Sequence, residues 1–293
     1  STSAMTSKNK ILRLVLFVSN SFSQEVKWMS VGDLHNWYSA AGCEIETGRT
    51  GQVSDQQDGL RYPAFYRVQD NQAAKGLWLG ATNFYDPVVN KDYEYKVIHA
   101  GPRHLDIENE TMPVDMTMDG KYDHPNVFVD GDPATNLQYL DDVDNVDPSL
   151  PSDRRINNIV QTSIGVQMKR TIYAFSHPEH QNYHIQEYVF TNNGCFDADC
   201  NTSYEQTLEG FQVYLQYRYA ISREGMVYDG NWLPQSAAWG HNTMNDVIGE
   251  HPDAPSINDQ FYDNGEIMRA LFSWQGYHSD ASFDNLGGPN APG

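Results

Sequence analysis

The sequence predicts an all-β fold, mainly an antiparallel β-sandwich with few short helices, which can be arranged as two packed β-rich subdomains. The clearest observation is the run 208–221, where Phe211, Val213 and Leu215 alternate with polar or amphipathic residues such as Gln212. A period of two is typical of a half-buried antiparallel strand. The second observation is that Gly, Pro, Asn and Asp separate short apolar runs, with no capped amphipathic helix of several turns among them.

The other predicted strands follow the same pattern of short apolar runs between turn residues. In chain order they are Tyr62–Val68, Gly76–Ala81, Tyr93–His99, two within Ile159–Ser176, Tyr183–Thr191 and Met268–Gln275. A cysteine-bracketed loop connects Tyr183–Thr191 to the run 208–221. We therefore expect these two strands to form a long hairpin from Tyr183 to Ile221.

The chain length allows one large or two modest domains. It has 293 residues and a mass of 33.2 kDa, and domains of 100–200 residues are common. We expect a β-rich first half over 24–129, an acidic loop over 130–153, a β-sandwich second half over 154–286 and a linker-like tail over 287–293. Any domain boundary is expected in the acidic loop.

Charge and composition exclude some classes of partner. The formal net charge is −20, from 19 basic and 39 acidic residues, which argues against binding to nucleic acid or to an anionic membrane surface. Hydrophobic residues make up 39% of the chain and aromatic residues 12%. This content is too high for a disordered chain, so the protein should fold.

The N-terminal segment 1–23 has the order of a secretion leader. Lys8 and Lys10 precede the apolar run Ile11–Val18, which Arg13 interrupts, and small residues end the segment at Ser23. The run is too short for a membrane span, which needs about 20 residues, and a buried apolar strand is the alternative interpretation. The leader predicts a secreted or cell-surface protein without a membrane span.

Two of the three cysteines are close enough in sequence to bond. Cys195 and Cys200 bracket a four-residue loop, and secretion would let a local disulfide persist. Two free thiols are the alternative, and a zinc site would lack a second pair. Cys43 is left over, and a buried small hydrophobic residue is the simplest interpretation of it.

The acidic loop is a candidate calcium site. It contains seven aspartates between positions 130 and 153, and carboxylate oxygens are the ligands that Ca²⁺ prefers. The spacing does not fit the helix-loop-helix calcium motif. A solvated acidic loop without an ion is the alternative. The predicted metal ligands are Asp130, Asp132, Asp141, Asp142, Asp144 and Asp147.

The tract from His177 to His184 contains ligands that suit zinc or copper. His177, His180 and His184 lie within eight residues, with Glu187 three residues further on. The local geometry argues against a site, because Pro178 prevents the helix that would place two imidazoles on one face. A polar turn entering a strand explains the same residues without a metal.

Aromatic residues beside Asp and Asn raise the question of sugar binding. Flat rings stack on sugar rings, although the same residues are common in the core of large β-proteins. The aromatic candidates are Trp37, Tyr38, Trp78, Trp232, Trp239, Trp274 and Tyr277. Glycoside hydrolysis would need two opposed carboxylates, and Glu187 with Glu209 on the predicted hairpin is the pair to consider.

Four segments resemble the N-terminal region of large, uncharacterised secreted proteins of gram-negative bacteria. These proteins often end in a type IX secretion sorting domain. The segments are WMSVGDLHNWYSAAGCEIE, GLWLGATNFYDP, YKVIHAGPR and NYHIQEYVFTNNG. The resemblance implies export to the cell surface or beyond, and it carries over no catalytic residue.

The expected function follows from these observations and from the lack of sequence motifs for serine hydrolases, zinc proteases or nucleotide enzymes. We expect a secreted, non-enzymatic protein with a structural, adhesive or self-assembling role, stabilised by calcium. It would form a homo-oligomer or filament if the N-terminal apolar run Ile11–Val18 is added as a strand to a neighbouring subunit. The alternative is a carbohydrate-active enzyme or a sugar-binding β-sandwich module with a polysaccharide partner.

Overall fold

The computed structural model describes most of the chain between residues 25 and 219 and short pieces beyond it. The described ranges are 25–45, 60–65, 71–100, 110–124, 128–133, 141–219, 243–248, 262–263, 266–267, 270–275 and 283–284. The regular secondary structure in these ranges is entirely β-strand, which confirms the all-β prediction, and the few expected helices do not occur there. The predicted leader and the linker-like tail lie outside the described residues.

The strands are numbered in chain order. They are β1 (Val26–Met29), β2 (Asn36–Ser39), β3 (Glu44–Ile45), β4 (Gln72–Asp86), β5 (Lys91–Ala100), β6 (Thr111–Gly120), β7 (Phe128–Val129), β8 (Asp132–Pro133), β9 (Asn145–Val146), β10 (Arg154–Thr162), β11 (Val166–Ala174), β12 (His184–Asn192), β13 (Glu209–Tyr219), β14 (Thr243–Ile248), β15 (Tyr262–Asp263), β16 (Glu266–Ile267), β17 (Ala270–Gln275) and β18 (Phe283–Asp284).

The largest sheet, called sheet I, has the strand order β12-β11-β10-β6-β9. Its pairs are antiparallel except for the short parallel pair of β6 with β9. Side chains alternate along β10 between buried and partly exposed positions, so Ile156, Asn158 and Val160 lie on the inner face. A register shift between Ile159 and Val160 interrupts the pairing of β10 with β6.

A second sheet, called sheet II, is built around the 15-residue strand β4. Strand β13 pairs with one edge of β4, and β3 and β5 pair with its other edge. The remaining strands form the β1–β2 and β7–β8 hairpins, a three-stranded sheet β17-β14-β18 and the pair β15–β16.

One end of sheet I packs against the inner face of sheet II. The first apolar cluster joins Leu77, Leu79 and Ile98 of sheet II to Val160 and Met168 of sheet I. Each of these side chains is at most 4% exposed. The two sheets therefore form a β-sandwich-like core, since each has one apolar face to bury.

The other end of the same face of sheet I is covered by the β1–β2 hairpin. The second apolar cluster joins Met29 and Tyr38 of the hairpin to Met118, Ile156 and Ile172 of sheet I. All five side chains are fully buried or nearly so. The β1–β2 hairpin and sheet II thus pack against the same face of sheet I.

A buried arginine lies between the two clusters. Arg170 of β11 is completely buried, and its guanidinium donates to the carbonyls of Ser39, Gly42 and Cys43 and to Asn158 Oδ1 at 2.8–3.4 Å. Asn158, opposite Arg170 in the register, donates to the carbonyl of Ala40 at 3.0 Å. These bonds attach the segment between β2 and β3 to the centre of sheet I.

Gly42 is required at this attachment. Its φ of +97° is in the region that favours glycine. A Cβ at this position would lie 2.5 Å from the Met168 terminal methyl. A side chain here would separate the segment from Arg170.

The predicted strands agree with the structure in most places. The runs Gly76–Ala81, Tyr93–His99, Tyr183–Thr191 and 208–221 coincide closely with β4, β5, β12 and β13, although β4 is longer than its predicted core. The segment 60–65 contains a bend, an isolated bridge from Arg61 to His35 and a turn, so the beginning of the predicted strand Tyr62–Val68 is wrong.

The predicted long hairpin is also wrong. Strand β12 pairs with β11 in sheet I, whereas β13 pairs with β4 in sheet II. The loop between them crosses from one sheet to the other, because each strand finds its apolar partner there. Strands from both sides of the acidic loop share sheets I and II, so the loop does not separate two independent sheet systems in the described part.

Within the described ranges, no helix has the length and apolar character needed to cross a membrane.

Replacing Arg170 with Met should lower the free energy of unfolding by about 3–5 kcal/mol, because four buried hydrogen bonds would be lost, although the Ser39 and Cys43 carbonyls also accept from backbone N–H groups. Urea unfolding measures this loss. The control is Lys169→Met, at the exposed neighbouring position on β11, which should change stability by no more than about 0.5 kcal/mol. Equal stability of both variants would contradict the role assigned to Arg170.

The thiol of Cys43 should be unreactive in the folded protein. The residue is only 2% exposed, and burial raises the pKa of its thiol to about 11. Because the folded pKa is raised, this group adds stability below its ordinary pKa, and the added stability is lost as the pH rises through the folded value. At about pH 8.5, an aromatic disulfide reagent should modify one thiol per chain in concentrated urea and none in buffer. Rapid modification in buffer would contradict this assignment.

Candidate functional site

The outer face of sheet II carries an aromatic candidate site. Along β4, Leu77, Leu79 and Ala81 point into the core, so Trp78 and Gly80 lie on the opposite face because strand side chains alternate. Trp78 is 39% exposed, although aromatic residues of this size are usually more buried.

Neighbouring strands place further side chains around Gly80. Tyr214 of β13 and His99 of β5 stand opposite Trp78, and Gln212 and Val97 stand opposite Gly80. The rings of Trp78 and Tyr214 are 6.0 Å apart at their centroids and 71° apart in plane. The edge-to-face arrangement holds both rings in place.

An open groove of about 430 Å³ is lined by Trp78, Gly80, Val97, Gln212 and Tyr214. Trp78 and Tyr214 provide aromatic surface, Gln212 and Gln216 provide amide groups, and Gly80 lies among them. None of the residues that line the groove carries a charge, although the chain has a net charge of −20. A neutral ligand with both apolar faces and hydroxyl groups matches this lining.

The predicted calcium ligands fall into several separate places. Asp130 and Asp132 lie on the exposed β7–β8 hairpin. Asp141 bonds to the Ser30 hydroxyl and to His124 Nε2, the latter at 2.7 Å. Asp142 is exposed. Part of the acidic loop is therefore tied to protein donors.

Asp144 and Asp147 also have protein partners. Asp144 accepts from the Met118 backbone N–H at 2.6 Å and pairs with Lys27 Nζ at 2.9 Å. Burial by itself would lower the pKa of Lys27, but hydrogen bonding and charge from Asp144, together with Glu25, raise it overall. Hydrogen bonds from Ser149 lower the pKa of Asp147.

Among the described residues, no three of these aspartates bring their carboxylates close enough to share an ion. Calcium binding stays a prediction, and this geometry adds no support to it.

The histidine tract is arranged differently from its prediction. His177, Glu179 and His180 each offer one ligand atom, and these atoms lie within 4.8 Å of one another. His184 points elsewhere and contacts the Tyr38 hydroxyl through Nδ1 at 2.8 Å. Positions 177–180 form a turn before β12 and no helix, as predicted. The expectation that the imidazoles stay apart without a helix was wrong, because the turn brings them together: the His180 N–H donates to the His177 carbonyl at 2.8 Å.

The aromatic candidates divide by burial. Trp37 and Tyr38 are core residues at 2% and 1% exposure, whereas Trp78 is on the surface. Trp232, Trp239 and Tyr277 lie outside the described residues, and so does the side chain of Trp274.

The two candidate catalytic carboxylates lie on strands of different sheets. Glu187 lies on β12 of sheet I and Glu209 on β13 of sheet II, since the hairpin that would have joined them does not form. Glu209 instead accepts from Asn83 Nδ2 at 2.7 Å.

Cys195 and Cys200 are joined by a disulfide in the loop that crosses between the sheets. Within this loop, the Asp197 carboxylate accepts from the backbone N–H groups of Asn201 and Thr202 at 2.8 and 2.6 Å. These bonds lower the pKa of Asp197. The loop is thus closed both covalently and by hydrogen bonds.

Sequence reasoning did not identify Tyr214, Gln212 or Gln216 as site residues. The signal was present in the alternation of β13, which places all three on one face. Their position beside Trp78 depends on the pairing of β13 with β4, across more than 130 residues of chain.

Comparison of the chain with protein-family models, with curated proteins and with solved structures finds no match.

Proposed function

We propose that this chain is a secreted, non-enzymatic adhesive protein that holds a neutral polysaccharide on the outer face of sheet II. The observation that carries the proposal is the uncharged groove in which Trp78 and Tyr214 lie beside two glutamine amides. Aromatic rings stack on the apolar faces of sugar rings, and amides bond to their hydroxyl groups.

The shape of the sheet supports a long ligand. The groove lies across three adjacent strands, β13, β4 and β5, which present their side chains on one open face. Tyr95, at 69% exposure, stands on the same face opposite Thr82. A polymer could therefore contact several strands at once.

Location outside the cytoplasm rests on separate support. A disulfide such as Cys195–Cys200 persists in oxidising compartments. The acidic composition gives a net charge of −20, which suits a soluble protein whose ligand is neutral rather than anionic. Binding without hydrolysis is the simpler proposal, because the nominated carboxylates Glu187 and Glu209 belong to different sheets.

Affinity electrophoresis against a panel of neutral soluble polysaccharides tests the proposal. At least one polysaccharide should retard the protein. Trp78→Ala and Tyr214→Ala should each weaken that binding about ten-fold, because one stacked ring contributes about 1–1.5 kcal/mol. The matched control is Phe128→Ala, which removes a 59% exposed ring on the β7–β8 hairpin and should leave binding unchanged.

Gly80→Val separates binding from folding. A Cβ at Gly80 would meet Val97 Cγ2 at 3.5 Å and the Lys96 carbonyl at 3.6 Å, so the strand should accept a side chain that fills the groove. We expect normal stability and no binding. The proposal would be contradicted if no polysaccharide retards the unmodified protein, or if the Gly80→Val variant binds normally. If the protein shortens the polysaccharide, it is catalytic, which would contradict a purely binding role.

Self-assembly is a second candidate function, favoured by strand β12. Among the described strands, β12 is an edge of sheet I and pairs only with β11 along its nine residues. Its outer face exposes Ile185 and Val189 at 47% and 48%. A long edge strand with exposed apolar side chains can pair with a second copy of the chain.

Sedimentation velocity over a range of concentrations tests this assembly. The unmodified protein should form dimers or larger species. The double variant Ile185→Lys/Val189→Lys should shift them towards monomer, because lysines on two paired β12 strands would repel each other. Val88→Lys, at a 63% exposed position in the turn after β4, is the control and should assemble normally. A monomer at every concentration would rule out assembly through β12.

A further inference from the structure

The β-turn before strand β12 forms a cluster of metal-ligating side chains outside the proposed polysaccharide groove. Its four residues are His177, Pro178, Glu179 and His180, and the His180 N–H closes the turn onto the His177 carbonyl at 2.8 Å. Proline at the second position fixes φ near the value that such a turn requires. The first and fourth side chains therefore stand on the same side of the turn, and their rings are 5.6 Å apart.

The donor atoms are already close to the spacing that a metal needs. One nitrogen from each imidazole and one oxygen of Glu179 lie within 4.8 Å of one another. The donors of a tetrahedral zinc ion are about 3.3 Å apart, given bond lengths of about 2.0–2.1 Å. All three side chains are exposed, so rotation about side-chain torsions can close the difference without any change in the backbone.

Hydrogen bonds fix the backbone on both sides of the turn. Before it, Ser176 donates to Asp153 Oδ2 through its N–H at 2.6 Å and through its hydroxyl at 2.9 Å. After it, the Gln181 carbonyl accepts from the Asp33 N–H at 2.8 Å, and the Gln181 amide donates to Asp33 Oδ2 at 2.9 Å. The ligands thus start from a fixed frame, which lowers the entropic cost of binding.

His180 has a partner of the kind that orients metal-bound imidazoles. Its Nδ1 lies 2.5 Å from the Tyr183 hydroxyl, and the Phe175 ring stands 6.0 Å from its own ring. When Nδ1–H is donated to Tyr183, the lone pair of Nε2 is available to a metal. Tyr183 is therefore a positioning residue for this ligand.

His177 loses only a long hydrogen bond when it binds a metal. Its Nδ1 accepts a long hydrogen bond of 3.2 Å from the Glu179 N–H, which a metal–nitrogen bond would replace. Glu179 supplies one negative charge to the ion, and the strongly acidic chain attracts cations to the surface.

We propose that His177, Glu179 and His180 bind one Zn²⁺ ion, with solvent completing the coordination. Two imidazoles and one carboxylate form a donor set suited to zinc, and an open fourth position follows from the exposure of the turn. Calcium does not suit this set, because it takes six to eight oxygen ligands.

Isothermal titration of the whole, chelator-treated protein with zinc chloride tests the site. We expect one zinc ion per chain at the turn, and a loss of affinity of at least ten-fold in the double variant His177→Gln/His180→Gln. Tyr183→Phe should weaken zinc binding by about ten-fold, as removal of an outer hydrogen-bond partner commonly does. Excess calcium chloride should not displace the zinc.

The matched control is His124→Gln, which removes an imidazole that contacts Asp141 far along the chain from the turn and should leave zinc binding unchanged. Far-ultraviolet circular dichroism and urea unfolding check that each variant folds, which is expected because the turn is exposed. Absence of zinc binding by the unmodified protein, or unchanged binding by the folded double variant, would overturn the proposal. The polysaccharide assay is independent of both outcomes, since the turn precedes a strand of sheet I and the groove is in sheet II.

Discussion

The buried guanidinium of Arg170 is the interaction on which the rest of the structure depends. It lies where two apolar clusters meet on one face of sheet I, and three of its acceptors are backbone carbonyls of the segment that leads from the β1–β2 hairpin to sheet II. A charge without water is costly unless its donors are satisfied. Here both terminal nitrogens donate to buried oxygens, while Nε has no hydrogen-bond partner among the described residues, and the Tyr38 ring lies 5.5 Å from the cation. One side chain thus holds the hairpin, the connecting segment and both sheets in a fixed relation.

This arrangement leaves the outer face of sheet II available for a ligand. The inner face contributes Leu79 and Ile98, at most 2% exposed, to the core. At its β13 edge, however, Val213 and Leu215 stay 42% and 36% exposed. On the outer face, the exposed Trp78 beside Tyr214 adds little to folding, and a ligand would explain its position. A sugar polymer is such a ligand. The proposed zinc turn precedes β12, an edge strand of sheet I, so adhesion and metal binding would use different parts of the molecule.

The sequence was sufficient for the fold class and for most long strands, because alternation such as that of Phe211 and Val213 is a local property of strands. Pairing was harder to predict. Strands adjacent in sequence usually pair, but β12 and β13 do not, since burial against distant strands decides their partners. Burial of aromatic residues could not be predicted either, because Trp37 follows the polar residue Asn36 and is buried, whereas Trp78 lies between two leucines and is exposed. Pro178 shows a third limit of prediction from sequence. It prevents a helix, but it favours a β-turn that brings His177 and His180 equally close together.

The attachment of the first strands to the centre of sheet I affects how the chain can acquire its structure during synthesis. The Gly42 carbonyl accepts a hydrogen bond from Arg170, which is 128 positions away in sequence. Asn83 donates to Glu209, which is 126 positions away. Contacts of such sequence separation form slowly, because a long loop must close before they stabilise anything. During synthesis, the first third of the chain must wait for strands that emerge much later. Apolar residues such as Leu77 would be exposed until β13 is available, which makes the growing chain prone to aggregation.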